Sequence, residues 1–186
     1  MPAWPLLTPS LGLRPFRPDD AARILVLNAE PTTRRWLPSH VYADLGEAAA
    51  AVAHLAGCCD EPGDPRRGPY VLAVDDRAGG RLIGHVGFSP FEGEVEVSYA
   101  IAEDSRGRGL GREALDAGCR WAFEAFSLAR LLALTDADNR PSKRLLERAG
   151  FAHLGDERRR FQGTPRLVSR YRLEAAPAAT GRARGG

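Results

Sequence analysis

Arg106-Gly107-Arg108-Gly109-Leu110-Gly111, set between an alternating strand pattern and a long amphipathic helix pattern, decides how this chain is read. Glycines in such a stretch let backbone N–H groups close on an anion without Cβ obstruction, and the positive end of the following helix adds its partial charge. A diphosphate is the ligand such a loop suits. The spacing excludes two common diphosphate loops, because a P-loop ends in Gly-Lys-Ser/Thr and a dinucleotide fingerprint has a third glycine where Arg112 stands. What remains is Arg-x-x-Gly-x-Gly, formed by Arg106, Gly109 and Gly111. Taken alone, the same residues also describe a glycine-rich turn that leads a strand into a helix.

About thirty residues downstream, Asn139-Arg140-Pro141-Ser142 opens an apolar-periodic segment that closes at Ala149-Gly150-Phe151. Locally these are a helix N-cap, a first-turn proline and a left-handed glycine past the helix end. A capped helix does not, however, call for a glycine-rich anion loop upstream of it, nor for a glutamate-bearing strand before that loop. The joint pattern resembles the GNAT superfamily of N-acetyltransferases, in which Arg-x-x-Gly-x-Gly is the acyl-CoA pyrophosphate loop and Asn-x-x-Ser runs through to Gly-Phe.

The rest of the chain alternates strands and helices. Leu11 to Phe16 reads as a strand, and Pro18-Asp19-Asp20 starts a helix running to about Asn28. Glu30 to Tyr42, broken by Pro31 and Pro38, is a short helical segment leading into an alanine-rich helix from Gly46 to Cys58. Tyr70 to Val74 and Arg81 to Phe88 form a hairpin, and Glu94 to Ala102 is the next strand. Leu110, Ala114, Ala117, Trp121 and Ala125 carry the helical stripe of Leu110 to Phe126. A strand at Arg130 to Thr135, the helix from Asn139 to Ala149, and a closing hairpin of Phe151 to Gln162 with Val168 to Leu173 complete the order. The fold class is α/β: one domain over residues 11–173, with a mixed, mostly antiparallel sheet flanked by helices, an N-terminal extension at 1–10 and a disordered tail at 174–186.

Composition sets limits. The 186 residues include 26 Lys+Arg against 24 Asp+Glu, and a net charge of +2 gives no general attraction to nucleic acid or anionic membranes. The N-terminus lacks the basic start and apolar run of a signal peptide, and no stretch approaches the ~20 apolar residues of a membrane span, so a cytoplasmic location is expected. Cys58 and Cys59 are adjacent and Cys119 is distant, a spacing that suits neither zinc nor a disulfide framework. No metal site is expected.

The resemblance covers roughly residues 11–173. Leu13-Arg14-Pro15-Phe16, Arg35-Trp36-Leu37-Pro38 and Glu96-Val97-Ser98-Tyr99 are similar to the branch that acetylates the N-terminal α-amines of ribosomal proteins, a branch that also holds enzymes for antibiotics and small amines. It implies acetyl transfer from the co-substrate acetyl-CoA to a primary amine, a peptide N-terminus or a small molecule, by a monomer or homodimer. It also implies that acetyl-CoA lies where two neighbouring parallel strands splay apart. The backbone of Tyr99, Ala100 and Ile101 would then pair with the pantetheine arm as an added strand does. The loop Arg106, Gly107, Arg108, Gly109, Leu110, Gly111 and Arg112 would hold the diphosphate, and Asn139 would hydrogen-bond to the pantetheine arm.

The chemistry needs a neutral amine, a polarised carbonyl and a proton for the departing thiolate. Glu94 and Glu96 share one strand face, and Glu96, farther from the turn at Gly93, is the candidate base. A solvated strand face is the competing reading. Many relatives carry a tyrosine a few residues after the asparagine; here that stretch is Leu145-Leu146, so Ser142 becomes the candidate proton donor and Tyr171 a second. Ser142 is equally suited to bonding within the first helical turn. His54, His85 and His153 read as packed or surface residues, while His40 follows a segment placed to line the acceptor pocket. Arg158, Arg159 and Arg160 alternate faces, solvated or at the mouth. Two rivals remain: a non-catalytic acyl-CoA sensor, which would keep the loop and Asn139 without needing Glu96 or Ser142, and a nucleotide-binding or RNA-binding module, disfavoured by the glycine spacing and modest charge.

Overall fold

The fold is that of a computed structural model, which describes residues 4–60 and 63–176. Its strands are β1 (Leu6–Leu7), β2 (Leu11–Pro15), β3 (Tyr70–Asp76), β4 (Arg81–Phe91), β5 (Glu94–Ile101), β6 (Arg130–Asp136), β7 (Ala152–Phe161) and β8 (Thr164–Glu174). The helices are α1 (Ala21–Asn28), α2 (Pro31–Trp36), α3 (Leu45–Asp60), α4 (Leu110–Phe126) and α5 (Arg140–Arg148). Pro18–Asp20, expected as the start of α1, is a separate 3-10 turn. The β3–β4 hairpin runs beyond its apolar stretch because backbone pairing continues to Asp76↔Arg81. The segment before residue 11 contributes β1, antiparallel to β2, and Trp4, whose ring lies 5.5 Å from that of Trp121. At the other end Glu174, assigned to the tail, pairs with Arg130 in the sheet. Residues 177–186, read as a disordered tail, lie outside the described residues.

All eight strands form one sheet, in the order β1-β2-β3-β4-β5-β6-β8-β7. Every neighbouring pair is antiparallel except β5 and β6, which are joined through α4 as a parallel pair requires. β4 and β5 stay in register from Phe91↔Glu94 to Gly84↔Ile101, whereas β5 and β6 share a single registered pair, Glu96↔Leu132. The sheet therefore opens beside the C-terminal half of β5.

Helices cover both faces, which is why β4 is buried along most of its length. Val86 and Phe88 face α4, while His85 and Ser89 face the cavity under α1 and α3. On α4 the buried stripe includes Leu110, Ala114, Ala117 and Trp121, but Ala125, at the same spacing, is exposed near the helix end. Arg14 is buried and bonds to both oxygens of Asp20 (2.7 and 2.9 Å) and of Asp75 (3.0 and 2.6 Å), tying β2 to β3 and to the turn that enters α1. No described helix is long and apolar enough to cross a membrane.

Gly118 sets how closely α4 approaches the sheet, since a Cβ there would lie 2.9 Å from Cγ1 of Val86, a side chain with little χ1 freedom. Gly118→Ala is expected to destabilise the protein by about 1–3 kcal/mol. The readout is a lower urea midpoint at unchanged slope; an unchanged midpoint would mean the contact relaxes freely.

Candidate active site

Glu96 sits at the one point where β5 and β6 remain in register. Its carboxyl is pushed up to about 7, chiefly by burial, with Arg159 and the Leu134 backbone N–H opposing the shift and Glu92 adding to it. Glu94, the other carboxyl on that face, is held in an ion pair with Arg130 at 3.0 Å. The two carboxyls share one face of β5 and differ in their surroundings, Glu96 desolvated and Glu94 paired with Arg130 near the strand's start.

The sequence motif around Gly109 forms a cradle. Gly107 (φ +76°) and Gly109 (φ +81°) are left-handed, and nothing lies within 4 Å of where a Cβ on either would stand. Gly109 caps α4 without any side-chain bond, its carbonyl accepting from Arg112 and Glu113 N–H at 3.1 Å. The N–H groups of Leu110 and Gly111 precede those, where a helix has no internal acceptors to offer. Space, left-handed backbone and helix donors together fit a diphosphate. Gly111 is small for another reason: a Cβ there would meet Leu145 Cδ1 at 3.1 Å, so it sets the approach of α4 to α5. The loop arginines are engaged by the protein. Arg106 Nε donates to the Ile101 carbonyl at 2.8 Å, Arg108 pairs with Asp76 at 3.2 Å, and Arg112 pairs with Asp116 one turn along α4. The Ala100 carbonyl points back at Gly84 on β4, so the alternation of the strand turns the backbone of Tyr99 and Ile101, and not the expected Ala100, toward the opening, with the Ile101 carbonyl already engaged by Arg106.

Asn139 caps α5, accepting from the Ser142 N–H at 3.2 Å, and Gly150 is left-handed (φ +88°) just past the helix end. Ser142 Oγ lies 2.8 Å from the hydroxyl of Tyr99, on the neighbouring strand β5. Burial pushes the Tyr99 hydroxyl well up, so it stays protonated across the working pH range. Tyr171 is fully buried and its hydroxyl donates to Glu147 at 3.2 Å, while its charge would act on the Tyr99 hydroxyl.

On the face that carries Glu96, a cavity of about 280 Å3 is walled by Phe16, Ile24, Tyr42 and Val52, with His40 and His85 among its polar lining. At the β4–β5 turn the Glu92 carboxylate holds Arg159 and Arg170, each at 3.0 Å. Arg158 and Arg160 are exposed, so the expected alternation of faces holds, with Arg159 alone turned toward the site. Ser39 bonds to Gln162, which links the turn after α2 to the β7–β8 hairpin.

Three contributions escape a reading of the sequence. Tyr99, taken for its backbone, brings a hydroxyl to Ser142, and only the packing of α5 on β5 reveals that. His85 and Ser89 share a face of β4, a legible signal, but that Ser89 stands opposite Glu96 and His85 opposite Ala100 depends on the register of β4 and β5. Arg159 reaches the site only through the fold of the β7–β8 hairpin.

Residues 10–152 match the family described as an acetyltransferase (GNAT) domain. The chain is similar to an uncharacterized N-acetyltransferase, p20, of Bacillus licheniformis, 24% identical over 169 residues that span 89% of this chain and 92% of that protein. Among solved structures it is similar to a ribosomal-protein-S5-alanine acetyltransferase from Vibrio fischeri, with a TM-score of 0.76, 20% identity, and coverage of 91% of this chain and 96% of that one. A ribosomal L7/L12 α-N-protein acetyltransferase in complex with coenzyme A gives a TM-score of 0.75 at 16% identity, over 90% of this chain and 95% of that one. At these identities the structural likeness is one of fold.

Proposed function

The chain belongs to the acetyltransferase (GNAT) family, and from that membership and the site just described we propose that it moves an acetyl group from acetyl-CoA to a primary amine by direct attack in a ternary complex. The observation that carries this reading is Glu96, a carboxyl poised near 7 at the opening between β5 and β6. A protein that merely binds acyl-CoA has no use for such a group. Acetyl-CoA supplies a thioester carbonyl for the amine to attack and a thiolate that departs.

The loop from Arg106 to Arg112 would hold the diphosphate, the backbone of Tyr99 and the N–H of Ile101 the pantetheine arm, and Asn139 the same arm through its side-chain amide N–H, since its Oδ1 caps α5. Holding the two reactants together converts a bimolecular step into an effectively unimolecular one, a gain of several kcal/mol on the order of 7–11 at best. Glu96 would take the amine proton, through water, at a pKa matched to neutral pH. On the α5 side of the opening, the Tyr99 and Ser142 hydroxyls would return a proton to the leaving sulfur.

Neither hydroxyl is the sole donor in this arrangement. Ser142→Ala and Tyr99→Phe are each expected to lower kcat by about a hundredfold or less, the low end for acid catalysis, with acetyl-CoA affinity little changed because the interaction acts in the transition state. Near-native kcat in both variants would return the pair to a structural role.

The base also bears on the acceptor. At pH 7 an α-amine with pKa ~7.7 is about one-sixth neutral and costs roughly 1 kcal/mol to deprotonate, whereas a lysine amine with pKa ~10.4 costs roughly 4.6 kcal/mol. A carboxyl near 7 acting through water suits the first, so α-amines and similarly weak bases are favoured over lysine side chains. The test is release of free CoA from acetyl-CoA with a panel of N-terminal peptides, small amines and aminoglycosides. Binding of acetyl-CoA without turnover of any amine would instead establish a sensor.

A further inference from the structure

We propose that the acceptor of this enzyme is a monoamine bearing an uncharged apolar or aromatic group, that this group occupies the cavity beneath α1 and α3 while His85 and His40 hydrogen-bond to a neutral polar group on the same molecule, and that polycationic amines are excluded. The proposal rests on the transferase reading above and names the chemistry that site accepts.

The cavity leads to the base. Ser89, in its wall, is the cross-strand partner of Glu96, and Ser98, also in its wall, is two residues along the same face of β5. A group in the cavity and an amine at Glu96 therefore belong to one molecule of modest length. Size agrees with this, because a cavity of about 150 Å3 accepts a benzene-sized group, and the volume here is about 280 Å3.

The lining decides the class. Phe16, Ile24, Tyr42, Val52, Leu55 and Val71 make it mainly apolar, and among the described residues no Asp, Glu, Lys or Arg lines it. Of the carboxyls at the base, Glu96 is the one the amine itself needs, and Glu92, which acts on it, is already engaged by Arg159 and Arg170. A second or third ammonium group entering the cavity would lose its water and meet no counter-charge, which is strongly unfavourable.

His85 and His40 make their part of the lining selective without adding charge, and Asn28 and His54 also line the cavity. His85 is 6% exposed and its ring centroid is 5.7 Å from that of His40. Burial lowers both, His85 to about 3 with His40 contributing, so both rings are neutral at working pH. A neutral imidazole offers one donor and one acceptor. Two of them suit a carboxamide, peptide or hydroxyl group attached beside the amine.

The experiment is titration calorimetry on the full chain saturated with CoA, with L-phenylalaninamide, spermidine and kanamycin as probes. Phenylalaninamide is expected to bind, and the two polycations to bind at least tenfold more weakly. His85→Leu and His40→Ala should each weaken phenylalaninamide about tenfold, the equivalent of one hydrogen bond, while leaving acetyl-CoA affinity unchanged. His40 is only half-buried, so that variant keeps the test open if His85→Leu does not fold. Failure of phenylalaninamide to bind, polycation binding of equal or greater strength, or unchanged affinity in the folded variants would each overturn the proposal. The transferase reading fails separately, when a probe binds beside acetyl-CoA and no CoA is released.

Discussion

Glu96→Gln is expected to lower kcat by about a hundredfold to ten-thousandfold at neutral pH, the range of a positioned general base. The wild-type rate should climb with pH as the Glu96 carboxyl ionises and level off above about 7. In the variant that limb disappears, and the rate continues to rise with the ionisation of the amine itself, so that high pH restores much of it. Stability should move the other way. Because the folded-state value is raised from 4.5 to about 7, the native state holds a proton that the unfolded chain has released. The stability this provides is present in full below 4.5 and lost as pH rises through 7. Above pH 7 the neutral amide spares the fold a buried charge, and Glu96→Gln should be more stable than wild type by on the order of 2–3 kcal/mol. Thermal melts at pH 5 and pH 8 read this directly. Wild-type activity across the pH range would make Glu96 an ordinary strand carboxyl.

Gly109→Val should remove acetyl-CoA binding altogether as read by calorimetry. Two effects combine. A β-branched residue at φ +81° is strained by about 1–3 kcal/mol, which shifts the loop, and its side chain projects into the open space of the cradle. The fold itself should survive, since no protein atom lies near that side chain's position. Gly111→Ala is the informative contrast. Its methyl group would press on Leu145, so the expected result is a lower unfolding midpoint, with weakened binding only as α4 shifts against α5. Unchanged affinity in Gly109→Val would sink the loop assignment, and ATP binding without CoA binding would point to a nucleotide site.

The element order was legible in the sequence because each element carries a local signal. The stripe on Leu110–Phe126, the Asn139 cap with Gly150 at the other end, and the alternation of β5 are all short-range consequences of helix and strand geometry. Boundaries were less legible. The β3–β4 hairpin extends past its apolar run because its ends are held by backbone pairing, to which side-chain patterns are indifferent. Pro18–Asp20 was joined to the first helix because proline and acidic residues open a 3-10 turn as readily as an α-helix.

Within the site, the residues whose role depends on backbone could be named in advance. Left-handed glycines ahead of a helix make an anion cradle wherever they occur, and an alternating strand places Glu96 and Glu94 on one face before any fold is known. How far each of those two carboxyls is shifted was not written there, because burial is set by the packed sheet and the Leu134 N–H and the Arg159 guanidinium, which oppose its effect on Glu96, come from strands far along the chain. The meeting of Tyr99 with Ser142, forty-three positions apart, and of His40 with His85 likewise depends on which helix packs on which strand. Sequence alone determined the backbone conformations and the repertoire of chemical groups, since these follow from neighbours a few residues away. The tertiary structure alone decided which of those groups are dry, charged or paired, because burial and electrostatic partners are properties of the packed molecule and not of any stretch of chain.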